Sequence, residues 1–223
     1  MNEIFTYYEN LEKFERQNEI LKYWEKTWQQ KGFKTFIANK DHAKVHPLYQ
    51  EFVDAVQEIN RKKYKVDIRA FYLSSLVRWL AWSTLLKRPS YVCDYDVLNL
   101  EYTEQEKIEK GFTFRNKFCL CFASADSEDA QYFCKMIIDN KDLISENLET
   151  DRKAKSFHDQ DVACILHKHQ PNFKYKILNL PIGSPASNSP LIHFSHHDTK
   201  KLMNDYKEET RINLIKKRLQ FHI

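Results

Sequence analysis

Apolar positions along the chain fall into short runs and helical spacings that alternate. Ile4-Phe5-Thr6-Tyr7-Tyr8 reads as a short buried strand. Ile20, Trp24 and Trp28 then recur every fourth residue, which is one helix face, and the run stops at Gly32, as suits a glycine just past a helix end. Phe33 to Ala38 predicts a second strand. Leu48, Phe52, Val56 and Ile59 mark another amphipathic helix, with Pro47 in its first turn, where proline is tolerated. Phe71 to Leu86 is apolar on two faces: Leu73, Leu76, Val77 and Leu80 on one, Tyr72, Ser75, Trp79 and Trp82 on the other. Such a helix is packed between layers. Pro89 ends it, and the all-apolar strand Tyr91-Val92-Cys93 runs directly into Asp94-Tyr95-Asp96.

After a polar stretch, Phe118 to Ala123 is again apolar, and Ala130, Phe133 and Ile137 share one face of a following helix. Asp159 to His169 reads as helix, Tyr175 to Leu180 and Leu191 to Phe194 as extended. Leu202, Tyr206, Ile212, Ile215 and Leu219 lie among charges and predict an appended helical tail over residues 198–223. Strands alternating with helices predict a single α/β domain over residues 1–223, with a Rossmann-like, largely parallel central sheet flanked by helices. Ligands of such sheets bind beyond the carboxyl ends of the strands. Asp94 and Asp96 stand at one such end.

Composition narrows the classes. The chain has 15 Phe, 12 Tyr and 4 Trp against 3 Gly and 6 Pro, which argues for a packed domain and against disorder. Its 35 basic and 31 acidic residues give a net charge of +4 with both signs interspersed, too mild for a nucleic-acid binder. Cys93, Cys119, Cys121, Cys134 and Cys164 lie in apolar stretches with no Cys-x-x-Cys pair, and predict buried free thiols in a reducing compartment. No apolar run approaches the roughly 18 residues of a membrane span, and no signal-peptide core opens the chain. A cytoplasmic protein without a transmembrane segment is expected, with peripheral membrane attachment compatible.

Three polar elements can carry chemistry. In an extended backbone, Asp94 and Asp96 project to one side. Two carboxylates emerging into a cleft repel each other unless a cation separates them, and Mn²⁺ or Mg²⁺ suits oxygen ligands. A solvated turn whose acids cap the next segment is the plainer alternative. His193 is delivered by the apolar run Leu191-Ile192 and reads equally as a core histidine; no zinc-finger spacing accompanies it. Asp159-Gln160-Asp161 opens a helix, where one Asp is accounted for by capping. Arg78, on the doubly apolar helix, must reach a neighbouring acid, a phosphate or the Asp-x-Asp loop. Tyr7 and Tyr8 either stack on a base or pack in the core, and Lys200 and Lys201 either assist a diphosphate or form a solvated patch.

Together, Asp94/Asp96, then Asp159-Gln160-Asp161, then His193 followed by Phe194 resemble the metal-dependent glycosyltransferases of the GT-A fold. The Asp-Gln-Asp segment looks most like that of the retaining, glycogenin-like galactosyl- and glucosyltransferases. Trp24 through Arg78-Trp79-Leu80-Ala81 to Asp96 looks like the donor-binding half of small bacterial or viral members. The resemblance implies a metal site of Asp94, Asp96 and His193, and a donor site that includes Tyr7, Tyr8, Arg78, Asp94, Tyr95 and Asp96. It implies catalytic Asp159, Gln160 and Asp161 facing the sugar, a nucleotide-sugar donor (UDP-sugar favoured), a glycan or glycoconjugate acceptor, and retention of configuration. A metal-dependent nucleotidyl- or phosphoryl-transfer enzyme and a non-catalytic interaction domain are the alternatives.

Overall fold

Alternation along the strands divides the interior into two cores. In β1 (Glu3–Tyr7), Ile4 enters one core while Phe5 and Tyr7 enter the other. In β3 (Ser90–Cys93), Tyr91 and Cys93 join Ile4, and Val92 joins Phe5. A strand buried on both faces reads as a continuous apolar run, which is how these segments look in the sequence. The computed structural model describes residues 2–11, 16–103, 108–115, 120–178, 180, 182–204 and 208–220. Phe118, Cys119 and Tyr206 lie outside them.

Among the described residues, the main sheet has the order β2-β1-β3-β6-β5-β7, with β2 at Lys34–Ala38, β5 at Thr113–Phe114, β6 at Phe122–Ala125 and β7 at Lys176–Ile177. β2, β1 and β3 pair in parallel, as do β5 and β7, but β6 is antiparallel to both neighbours. The sheet is therefore mixed rather than purely parallel. β5 and β6 are joined by a segment shorter than the dozen or more residues of a parallel crossover, so they pair antiparallel.

On one face the sheet packs against α2 (Lys40–Lys44), α3 (Tyr49–Tyr64), α4 (Ala70–Leu85), α5 (Ser127–Asp139), α6 (Lys141–Asn147) and α7 (Asp159–His169). The opposite face holds α1 (Gln17–Gln30), a small sheet ordered β4-β9-β8, and α9 (Glu208–Leu219). The small sheet comprises β4 (Val97–Asn99), β9 (Leu191–His193) and β8 (Ile182–Gly183); α8 (His196–Met203) leads from it towards α9. Gly32 follows the α1 C-cap with φ +83°, a conformation that costs glycine little. Among the described residues, no helix is long and apolar enough to cross a membrane.

Several expectations change. Pro47 precedes the α3 N-cap, Leu48, instead of lying inside the helix. Helix α4 ends at Leu85, ahead of Pro89, and β6 starts only at Phe122. Cys93, Cys121 and Cys134 are buried free thiols, but Cys164 is exposed. The C-terminal segment is no appendage. Ile212, Ile215 and Leu219 are buried in the same core as Ile4, Trp24 and Trp28. Ile215→Ala should consequently cost about 2–5 kcal/mol in urea unfolding; a loss under about 0.5 kcal/mol would mark α9 as a loose tail.

Candidate functional site

The Asp94-Tyr95-Asp96 segment is a tight turn between β3 and β4, closed by the Val97 N–H donating to the Asp94 carbonyl at 3.1 Å. The expected extended backbone is thus replaced by a turn, which still brings the carboxylates together. Its two ends are held from several sides. The Trp24 indole N–H donates to Cys93 Sγ (3.1 Å) and that of Trp28 to the Val97 carbonyl (3.0 Å), so the i, i+4 pair on α1 clamps the residues flanking the turn. The Thr6 hydroxyl donates to the Cys93 carbonyl (2.9 Å), and the Asp94 N–H donates to that of Cys121 (2.9 Å). His193 ends β9 directly opposite Val97 in the register, and the Phe194 N–H donates to the Asp96 carbonyl at 2.9 Å.

That pairing delivers the His193 ring to the carboxylates. His193 Nε2 lies 3.3 Å from Asp96 Oδ1 and 3.7 Å from Asp94 Oδ2. One ligand atom from each of the three residues falls within 4.8 Å of the other two. The opposite oxygens meet arginines: Arg78 of α4 pairs with Asp94 Oδ1, and Arg211 of α9 pairs with Asp96 Oδ2. Burial raises the Asp94 pKa, Arg78 opposes the rise, and Asp96 adds to it; the net direction is upward. Burial likewise works against the charge of Arg78, but Asp159 and Asp94 more than offset it, and the guanidinium stays firmly ionised.

Asp159 borders the same cleft, and its carboxylate is already engaged. Only 3% exposed, it accepts at Oδ2 from Arg78 Nε (3.0 Å), Arg78 Nη2 (2.7 Å) and the Trp79 indole (2.9 Å), and at Oδ1 from the Gln160 N–H (2.9 Å). It braces Arg78, which in turn holds Asp94. Asp161 is turned away from the cleft, pairing with Arg152 and accepting from the His158 N–H at 2.7 Å as part of the α7 cap. Capping and the Arg152 pair account for this acid, and Asp161 is not among the residues lining the cleft.

A cleft of about 600 Å³ opens over the three convergent residues. Tyr7, Arg78, Tyr95, Asp159 and Gln160 line it with Asp94, Asp96 and His193. Tyr8 sits edge-on against Tyr95, ring centres 5.7 Å apart. Lys200 and Lys201 lie on α8 and are not among the lining residues. Sequence reasoning assigned no site role to Phe71, Tyr72 and Asp198 on the cleft wall or to Arg211 behind it; His158, which directly precedes the Asp159-Gln160-Asp161 segment, lines the cleft too. Burial lowers the pKa of His158, whose ring lies 4.4 Å from that of Tyr72.

Two carboxylate oxygens and an imidazole nitrogen in one cluster form a donor set that fits Mn²⁺, Mg²⁺ or a similar divalent ion. Ligands from three residues leave coordination positions for substrate oxygens. Residues 1–119 match the family model described as "Domain of unknown function (DUF8765)". No curated protein and no solved structure matches the chain.

The Asp159 network generates a test. Asp159→Asn removes one of the two carboxylates paired with Arg78, which keeps Asp94, and loss of a hydrogen bond to a charged group costs about 1.5–3 kcal/mol. Chemical denaturation should show a loss of that order; an unchanged midpoint would return Asp159 to an unstrained, substrate-facing role.

Proposed function

The chain belongs to the DUF8765 family of domains of unknown function, and we propose that it is a metal-dependent glycosyltransferase of the GT-A type. Its donor is a nucleotide-sugar, UDP-sugar favoured, and its acceptor a hydroxyl of a glycan or glycoconjugate. The observation that carries this reading is the convergence of Asp94, Asp96 and His193 on one point under a cleft of about 600 Å³. Glycosyl transfer from such a donor breaks the bond between the anomeric carbon and the diphosphate, and negative charge grows on the leaving group. A divalent ion bound at the centre supplies Lewis-acid stabilisation of that charge.

The chain's own residues do the positioning. Arg78 and Arg211 orient the two ligand carboxylates from opposite sides. The aromatic side chains of Phe71 and Tyr72, with Ser74, Ser75, His158 and Gln160, offer the mixed apolar and hydrogen-bonding wall that suits a sugar ring or a base. Retention is the stereochemistry the sequence resemblance favours. Asp159 is engaged by Arg78 and Trp79, and Asp198 is a further acid on the cleft wall. An inverted product would assign Asp198 as the general base.

A thermal-shift panel of UDP-, GDP- and CMP-sugars with and without Mn²⁺ tests the reading. A donor at about 100 times its dissociation constant stabilises by about 2.7 kcal/mol, or about 5–10 °C for a chain this long. EDTA should abolish both that shift and transfer. His193→Ala should lose the Mn²⁺-dependent shift without stranding either arginine, unlike Asp96→Ala, which would leave Arg211 buried and deprived of the Asp96 carboxylate. Full activity in chelator would remove the metal from the account.

A further inference from the structure

Arg211 is 1% exposed on a helix otherwise rich in solvated charge. Its position belongs to the apolar stripe: Arg211, Ile215 and Leu219 are four residues apart and all buried. An arginine placed where a leucine would pack pays a large desolvation cost unless its fork is used. Here the fork spans two separate pieces of the metal centre. Nε donates to the Phe194 carbonyl at 2.6 Å, next in chain to His193, and Nη2 pairs with Asp96 Oδ2. The guanidinium carbon also lies 5.9 Å from the Tyr95 ring centre, over the middle of the turn.

We infer that Arg211 is a positioning residue for the Asp94–Asp96–His193 centre, fixing the Asp96 carboxylate so that Oδ1 faces His193 and tying the β9 end to the turn. This rests on the metal-centred reading above. The role of Arg211 is geometric rather than one of charge balance: a positive charge beside a metal ligand repels a cation, so simple charge compensation would predict tighter metal binding once it is removed. The C-terminal helix is thereby part of the site, and metal affinity and the docking of α9 are linked.

Mn²⁺ titration of the full chain, read by the electron paramagnetic resonance of free Mn²⁺, separates these roles. Arg211→Lys keeps the charge but loses the planar fork. It should weaken Mn²⁺ about tenfold, as loss of a residue that orients a ligand does, and Arg211→Gln should weaken it too. Ile215→Val, which loosens the same helix without touching the guanidinium, should bind within about twofold of wild type. Wild-type affinity in Arg211→Lys, tighter binding in Arg211→Gln, or equal weakening in Ile215→Val would each overturn the inference while leaving the metal centre standing. Absence of Mn²⁺ binding by the wild-type chain would remove the metal centre itself. If the Arg211 variants do not fold, amide exchange in the wild-type chain decides, because coupling is reciprocal. Mn²⁺ should slow exchange across residues 211–219, and unchanged rates there overturn the proposal.

Discussion

Two carboxylates held within a few ångströms of each other at the end of a buried strand are the constraint around which the molecule is arranged. At the separation of Asp94 and Asp96, and an effective dielectric near 20, their repulsion is on the order of 3–4 kcal/mol. That is a large part of the stability of a typical domain. The fold answers with a buried arginine from each face of the sheet, Arg78 on α4 and Arg211 on α9, each taking one oxygen of one carboxylate. The other oxygens are thereby directed to the side where His193 arrives. Attraction alone would let a carboxylate swing onto its arginine in several ways; the second bonds of each guanidinium, to Asp159 and to the Phe194 carbonyl, restrict it.

The scaffold makes this arrangement stiff through its cores. Trp24 and Trp28 are fully buried and spend their indole N–H groups on the two residues flanking the turn. Burial of α1 and position of the carboxylates are consequently one property. The small β4-β9-β8 sheet has the same double use, since its register sets where His193 stands and its apolar residues fill the core that α9 closes. Distant parts of the chain, from Trp24 to Arg211, thus meet at one point. The family match over residues 1–119 contains the turn, Arg78 and both tryptophans, whereas His193, Asp159 and Arg211 lie beyond it.

The larger elements were legible because their apolar spacing is strong. Helices α1, α3, α4, α5 and α7 and strands β1, β2 and β3 carry periods that packing reinforces. Short elements such as α2, β4, β5 and β8 carry too few residues for a period to show. The direction of β6 could not be read from a pattern, since an apolar strand looks the same in either sense. At the site, Asp94, Asp96, His193 and Arg78 were legible as polar groups in apolar surroundings. Asp159 and Asp161 were visible as acids, but which way a helix-capping carboxylate points depends on partners such as Arg78 and Arg152 that are remote or loop-borne. Arg211 was obscured by the charges around it, although its four-residue spacing from Ile215 and Leu219 held the clue.

The central claim is that these three side chains constitute a divalent-metal centre. Its most direct test is anomalous diffraction from crystals of the protein grown with Mn²⁺. The account predicts one strong peak in contact with Asp94 Oδ2, Asp96 Oδ1 and His193 Nε2, with Arg78 and Arg211 still on the opposite oxygens. Anomalous density confined to other parts of the surface, with His193 remaining paired to the carboxylates, would contradict it.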